Sequence, residues 1–356
     1  MPQRPFLPHL PLLLTSLLLS LAACGGGGGD IAETAAPAGA SSTSSATASH
    51  SSSARSSTSA GSQSSSSSSQ RASSVSSASV YATLPSVAGC SVGALNDSER
   101  TAVLARLNGI RDRHGLPSVS YDSSDDSAAA QAAMYMVANR SLTHTPSGNG
   151  NCYTSEASRL AGTSNLYYSS AWGSSTLSQA STEAIRAYLI DENVSSLGHR
   201  RWVLFPFMGA TAFGRVDDVS GSTSYMASTL RTIGGERTSV SSMAPDFVAY
   251  PHGDYPVSDF AKNWYLSFSA IASKTDRWAN GSDHVSFANA TIAVSDASGN
   301  SLSASDVSHD YSGYGLANSL QWKLDSLQDN VTYTVRIDNV LVNGGTRNYE
   351  YSFRLQ

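Results

Sequence analysis

Residues 197–206 read LGHRRWVLFP, and the other elements of the chain are arranged around this stretch. The apolar run from Trp202 to Phe205 predicts a buried strand that ends at Pro206, because a short apolar run bounded by proline is typical of one. Two arginines precede the run. We expect one of them to pack along the Trp202 ring and the other to face acidic residues of a cavity.

Three helices are predicted before this stretch and two strands after it. A capping box at Asn96–Glu99 starts the first helix, and apolar spacing predicts the others over residues 125–139 and 182–190. Strand-like runs follow at 211–216 and 224–227. Helices mixed with strands, without strict alternation, indicate an α+β fold.

The order of these segments resembles a known family. The runs LNGIRDRHGLPSVSYD at 107–122, AAAQAAMYMVANRSLTHTP at 128–146 and GHRRWVLFP at 198–206 together resemble the CAP superfamily (cysteine-rich secretory, antigen 5 and pathogenesis-related-1 proteins) in its bacterial SCP-like form. The resemblance spans residues 95–215. It implies a CAP-type α-β-α sandwich with a three- or four-stranded antiparallel sheet, and an open cavity where two histidines and two acidic residues meet.

The resemblance places two histidines in the cavity and leaves the first acidic position open. His144 stands where the family has its histidine after the second helix, and His199 stands in its Gly-His-Arg motif. Glu156 lies in the right loop but lacks the family's flanking residues. The run Ser164 to Leu166 fits the end of that loop better, and in that alignment serine replaces the acid.

The second acidic residue of the family lies three positions after an aromatic residue on the third helix. Counting from Tyr188 gives Asp191, and Glu192 beside it is the alternative. Arg200, next to the second histidine, is expected to line the same cavity.

These residue types favour two kinds of chemistry. Two imidazoles with open positions suit Zn²⁺ or another divalent cation, and imidazole beside a carboxylate also suits acid–base catalysis. The superfamily has no general enzymatic activity, so the resemblance implies a binding protein more than an enzyme. One alternative is a metal-dependent hydrolase of envelope or host polymers, for which the catalytic candidates are Glu156, Asp191 and Glu192. A second alternative is an adhesive module without an active cavity.

The amino terminus predicts export. A leucine-rich run after Arg4 is too short to span a bilayer and is typical of a signal peptide, here residues 1–23. It ends in Leu-Ala-Ala followed by Cys24, which resembles the lipobox of bacterial lipoproteins. That resemblance implies lipidation of Cys24, and Gly25 after it implies an outer membrane or cell-surface location. An ordinary secretory signal is the alternative.

Residues 24–85 predict a disordered tether, because serine-rich sequence cannot bury enough apolar area to fold. With Cys24 assigned to lipid, Cys90 and Cys152 remain. An even pair in an exported protein predicts one disulfide. A metal-binding or catalytic thiol pair is the weaker alternative, because the chain has no CxxC spacing.

We divide the folded chain into a CAP domain over residues 86–255 and a second domain over 256–356. Six short runs of alternating polarity in the second segment predict an all-β sandwich, which resembles immunoglobulin- or fibronectin-type modules. We expect this sandwich to be a spacer or stabilising appendage, in preference to a glycan- or protein-binding module.

Charge narrows the range of partners. The 356 residues carry a formal net charge of -5 and lack the basic clusters that phosphate binding needs, which argues against nucleic acid. The sequence therefore predicts a surface-anchored lipoprotein that meets the membrane through its lipid. Its cavity is expected to bind a divalent metal and a lipid, glycan or peptide ligand.

Overall fold

The computed structural model of the chain describes residues 80–173 and 179–356. The predicted signal peptide, the lipidation site Cys24 and most of the predicted tether lie outside these residues. Within them, no helix has both the length and the apolar character needed to cross a membrane.

The helices and strands are as follows. The helices are α1 (Asp97–Arg113), α2 (Asp126–Asn139), α3 (Ser155–Ala161), α4 (Ser181–Ile190) and α5 (Gly198–Val203). The strands of the first part are β1 (Tyr81–Thr83), β2 (Ala94–Leu95), β3 (Ser120–Tyr121), β4 (Ser164–Trp172), β5 (Ala210–Thr211), β6 (Phe213–Ser220) and β7 (Thr223–Arg231). The remaining strands are β8 (Phe247–Tyr250), β9 (Gly253–Tyr255), β10 (Leu266–Ala270), β11 (Val285–Ser286), β12 (Thr291–Asp296), β13 (Ser301–Leu302), β14 (Ala304–Asp310), β15 (Ser319–Leu324), β16 (Thr332–Val342) and β17 (Gly345–Leu355).

An antiparallel sheet of order β4-β7-β6 forms the middle layer of the first part. One face packs against α2 and α3, where Val216 and Ala227 meet the alanine-rich side of α2. The other face carries Phe213 and Leu230 and packs against α1 and α4. The predicted α-β-α sandwich is therefore confirmed, with three strands in its sheet.

Glycine at one sheet position allows α2 to lie close to β6. A Cβ atom built on Gly214 would lie 2.2 Å from the backbone carbon of Ala129 and from the nitrogen of Ala130. No side chain fits there without moving the helix backbone. The small-residue face of α2 and Gly214 thus fix one layer of the sandwich against the next.

The second part is a β-sandwich of two sheets. One has the order β14-β15-β10-β8, and the other has the order β13-β12-β16-β17-β9 with β11 paired to β16. Strands β8 and β9 precede residue 256, so strands from the carboxyl end of the predicted first domain pair within the sandwich sheets. A continuous apolar cluster includes Leu107 of α1 and Ile185 of α4 together with Phe268 and Trp322 of the sandwich.

The strand predicted over Trp202 to Phe205 is wrong. Trp202 and Val203 lie in the short helix α5, and Phe205 follows it outside any strand. A run of four apolar residues is compatible with both a buried strand and a buried helical turn, so the pattern alone does not distinguish them. Pro206 ends the apolar run, but the preceding residues Gly198 to Arg201 already form the first turn of a helix.

The capping box predicted at the start of α1 does not form. The Asn96 side chain makes no capping hydrogen bond. Instead, the Glu99 carboxylate accepts a hydrogen bond of 3.2 Å from the backbone N–H of Ser181, the first residue of α4. Glu99 therefore joins two helices of one layer.

The predicted disulfide is confirmed. Cys90 and Cys152 are bonded, with 5.3 Å between their Cα atoms, and they link the turn before α1 to the loop before α3. Their separation of 62 residues corresponds to about 4 kcal/mol of stabilisation in the chain-entropy model of a cross-link.

A buried histidine lies where α1 meets strand β9. His114 is 4% exposed, and its Nε2 lies 3.2 Å from the hydroxyl of Tyr255. Burial, together with the neighbouring charge of His252, lowers the pKa of His114 to about 3. The imidazole is therefore neutral in the folded protein throughout the ordinary pH range.

Acid should destabilise the protein through His114. An unfolded histidine has a pKa near 6.5 and takes up a proton that the folded protein excludes. The contribution of His114 to the free energy of unfolding is therefore fully present above pH 6.5 and is lost progressively as the pH falls toward 3. Between pH 6.5 and 5 the loss attributable to His114 is about 2 kcal/mol. Urea unfolding at a series of pH values measures this slope.

The variant His114→Gln should flatten that slope, because glutamine does not titrate. The matched control is His309→Gln on the exposed strand β14, which tests the substitution itself. Parallel slopes for wild type and His114→Gln would show that His114 does not cause the acid sensitivity.

Candidate functional site

The structure brings His144 and His199 together. His144 lies in the loop after α2, and His199 is the second residue of α5. Their ring centroids are 6.4 Å apart and their planes differ by 23°. Both side chains are partly exposed. The pair predicted from sequence therefore shares one site.

A backbone carbonyl fixes the tautomer of His144. Its Nδ1 lies 2.8 Å from the carbonyl oxygen of Ala161, at the end of α3. A carbonyl oxygen only accepts, so Nδ1 carries the proton and Nε2 keeps a lone pair in the neutral ring. Burial, and the neighbouring His199, lower the pKa of His144, whereas the hydrogen bond to Ala161 opposes them. The neutral form, which binds metal or accepts a proton, is thereby favoured.

A buried carboxylate holds His199. The Nδ1–H of His199 donates to Asp191 Oδ1 over 2.8 Å. The other oxygen, Oδ2, accepts from the backbone N–H groups of His199 at 2.9 Å and Arg200 at 3.2 Å. Asp191 thus orients the ring of His199 and leaves its Nε2 with a lone pair.

Asp191 also completes the start of α5. The first N–H groups of a helix lack partners inside the helix, and the residue before α5, Leu197, provides no side-chain cap. Two of those groups donate to Asp191, whose negative charge is favourable at a helix amino terminus. The carboxylate reaches them from the end of α4, where Asp191 adopts the left-handed conformation with φ 54°.

Sequence alone left Asp191 and Glu192 as alternatives. The structure places the carboxylate of Asp191 on His199, and Asp191 is 2% exposed. Glu192 is exposed. The left-handed turn at Asp191 gives the two neighbours opposite environments.

The two candidates for the first acidic position make other contacts. Glu156 is in the first turn of α3, half exposed, and its carboxylate accepts a hydrogen bond of 2.8 Å from Arg159. Ser164 is buried at the start of β4, and its hydroxyl has no hydrogen-bond partner. In the described part of the chain, the carboxylate bonded to this pair is that of Asp191, on His199.

Arg200 is hydrogen-bonded to Asp191 through its backbone N–H. Its side chain is buried and donates to the carbonyl oxygens of Leu189 and Tyr265, each over 2.8 Å. The sequence predicts that the guanidinium of Arg200 lines the cavity, but in the structure it is buried among the end of α4 and residues of the β-sandwich. The other arginine, Arg201, pairs with Asp310 and lies over the ring of Tyr314.

Two further residues support the site. Asn165 donates from Nδ2 to the backbone carbonyl of His199 over 2.9 Å. The ring of Tyr188 lies 5.6 Å from that of His199, and its hydroxyl donates to the carbonyl of Asn165 over 3.1 Å. Both residues were noted in the sequence only as markers for aligning their neighbours, because their own contacts depend on the packing of α4 on β4.

The described residues contain no group of three or more His, Cys, Asp or Glu side chains arranged to hold a metal ion. Both oxygens of Asp191 are already occupied by N–H donors. Within the described residues, the two imidazoles are therefore the side chains available as metal ligands at this site.

Comparison with known proteins places the site inside a recognised domain. Residues 104–230 match the model of the CAP family, the cysteine-rich secretory protein family. The match includes both histidines, strands β4 and β6, and β7 as far as Leu230. The predicted resemblance is confirmed for this segment. No curated protein matches the chain.

Two similar solved structures are an extracellular protein containing a SCP domain from Bacillus anthracis str. Ames and an outer surface protein from Borrelia burgdorferi. Their identities to this chain are 18% and 14%, and their TM-scores are 0.25 and 0.26. Each comparison covers 38% of this chain, with 41% of the first protein and 93% of the second.

The choice between the two neighbouring acids is directly testable. Asp191→Asn removes the charge and one of the acceptor oxygens from a buried site with three N–H donors. It should lower the free energy of unfolding by about 2–4 kcal/mol. Glu192→Gln, at an exposed position, should stay within about 0.5 kcal/mol of wild type. Urea unfolding of both variants decides; equal losses would contradict the assignment.

Proposed function

We propose that the CAP domain matched by residues 104–230 is an exported binding module, and that its histidine pair holds a divalent metal ion. The observation that carries this proposal is the state of the two rings. The Nδ1–H of His144 is bound to a carbonyl and that of His199 to a carboxylate. Metal-binding histidines have this arrangement, because it leaves Nε2 as the ligand and fixes the ring.

The donor set suits a weakly held, exchangeable ion. Structural zinc sites use four protein ligands and catalytic ones use three, whereas this pair supplies two. The remaining positions would be open to water or to oxygen atoms of a ligand. Zn²⁺ bound there would act as a Lewis acid toward a ligand oxygen. The lowered pKa of His144 reduces competition from protons.

The ligand would come from outside the chain. Partial exposure of both rings admits a lipid headgroup, a glycan or a peptide, each of which offers oxygen donors. We propose export because of the signal-like amino terminus, and the Cys90–Cys152 disulfide supports an oxidising compartment. Lipidation at Cys24 would anchor the domain to the outer membrane or the cell surface.

One observation favours a second candidate, a hydrolase. The hydrogen bond from His199 to Asp191 is the arrangement by which a carboxylate orients an imidazole general base. Because Asp191 already accepts three N–H groups and Glu156 is paired with Arg159, the base in this structure would be Nε2 of His199.

Zinc binding tests the main proposal. Titration calorimetry of the wild-type protein with Zn²⁺ should show one site. Loss of a residue that merely orients a ligand already weakens metal sites by about 10–100-fold. His144→Ala and His199→Ala should therefore each weaken binding by at least about 100-fold.

The control for this titration is His284→Ala. The Nδ1 of His284 is likewise bonded, to Asn343, but the residue lies in the sandwich outside the CAP match. Zinc affinity should not change in this variant. Wild-type protein that binds no zinc, or histidine variants that bind it equally well, would refute the proposed metal site.

Hydrolysis is tested with the same variants. If the second candidate is right, wild-type protein cleaves members of a peptide and glycan panel, and His199→Ala lowers the rate by about 100-fold or more. Activity that persists in His199→Ala, or no activity on the panel, would count against it.

A further inference from the structure

The β-sandwich holds the helix that carries His199. Arg200 of α5 donates from Nη1 to the carbonyl oxygen of Tyr265 at 2.8 Å and to the hydroxyl of Ser267 at 3.3 Å. Its guanidinium carbon lies 3.9 Å from the ring centroid of Tyr250 in β8. These contacts connect the helix to two neighbouring strands of one sandwich sheet.

The loop after β14 holds the same helix from a second direction. Arg201 donates from Nε to the carbonyl oxygen of Leu316 over 2.9 Å. The backbone N–H of Leu316 returns a hydrogen bond to the carbonyl of Arg201 at 3.3 Å. Gly315 lies against Trp202 so closely that an added Cβ would be 2.9 Å from the indole ring. Residues Arg200 to Trp202 of α5 thus contact the sandwich.

One sandwich residue reaches the carboxylate partner of His199 itself. Trp264, just before β10, donates from Nε1 to the backbone carbonyl of Asp191 over 2.9 Å. The N–H of Val194 donates to the same carbonyl at 3.2 Å. A left-handed conformation costs a residue with a Cβ atom more than it costs glycine, and these two hydrogen bonds help to hold Asp191 in it.

We propose that Trp264 is a positioning residue of the histidine site, and that the β-sandwich is a working part of this site. By fixing the carbonyl of Asp191, Trp264 fixes the direction of its carboxylate. The carboxylate in turn keeps the proton of His199 on Nδ1 and its lone pair on Nε2. This inference rests on the proposed function in one respect: the site that Trp264 orients is the proposed metal site.

The test removes one N–H group from the full-length protein. Trp264→Phe deletes the donor to Asp191 and keeps an aromatic ring. The matched control is Lys323→Met, because Lys323 Nζ lies 5.2 Å from the Trp264 ring centroid. This variant changes the surroundings of the indole but keeps its N–H group and the hydrogen bond to Asp191. Nitrogen-15 NMR of the imidazole of His199 reports which ring nitrogen carries the proton.

Trp264→Phe should move a measurable fraction of His199 to the tautomer protonated on Nε2, and should weaken Zn²⁺ binding about three- to tenfold, the effect expected of one hydrogen bond. Lys323→Met should change neither quantity. Melting temperatures of the two variants, measured in parallel, separate this local effect from general destabilisation.

Wild-type tautomer and zinc affinity in Trp264→Phe would overturn the proposal. If wild-type protein binds no zinc, the proposed function fails, but the tautomer of His199 still decides the role of Trp264. If the phenylalanine variant does not fold, the same measurements are made with 3-benzothienylalanine at position 264. That residue has the shape of tryptophan, with sulfur in place of the N–H, and its outcomes are judged in the same way.

Discussion

The carboxylate of Asp191 is the interaction on which the site depends. It accepts hydrogen bonds from the ring of His199 and from the backbone N–H groups of His199 and Arg200. One buried charge therefore does two tasks, since it caps a helix of only six residues and sets the tautomer of the histidine on that helix. Helix formation at α5 and orientation of the imidazole cannot be separated.

Two buried arginines, Arg200 and Arg111, pair with carbonyl groups at the ends of the short helices α4 and α5. Arg200 donates to Leu189 at the end of α4, and Arg111 donates to Val203 and Phe205 at the end of α5, over 2.9 Å and 2.8 Å. Carbonyl groups at helix ends lack partners and carry partial negative charge, so they suit a cation. Burial lowers the pKa of Arg111 to about 9, which leaves it charged near neutral pH. These arginines stabilise a junction that apolar packing alone would leave with unpaired carbonyls.

Sequence predicted the features that depend on local pattern. Helical spacing gave α2 and α4, and the family motif gave the histidine pair. It failed where tertiary contacts decide. The run from Trp202 to Phe205 has the apolar content of a strand, yet the capping of α5 by Asp191 makes its start helical. No periodicity links Trp264 to Asp191, because their hydrogen bond joins the segment before β10 to the end of α4, and these meet only after folding. The sequence of the sandwich, which has no cysteine pair or metal-ligand cluster, therefore predicts only a spacer or stabilising appendage.

The contacts between the two parts of the fold affect the geometry of the histidine pair. Each oxygen of Asp191 already accepts at least one N–H group, so in the proposed function the metal ligands of the chain are the Nε2 atoms of the two histidines. Two ligands define an ion's position only if their own positions are fixed. His144 is fixed by Ala161 within the CAP segment, whereas His199 sits on a helix enclosed by the sandwich. The separation of the two rings therefore depends on contacts made within both parts of the fold.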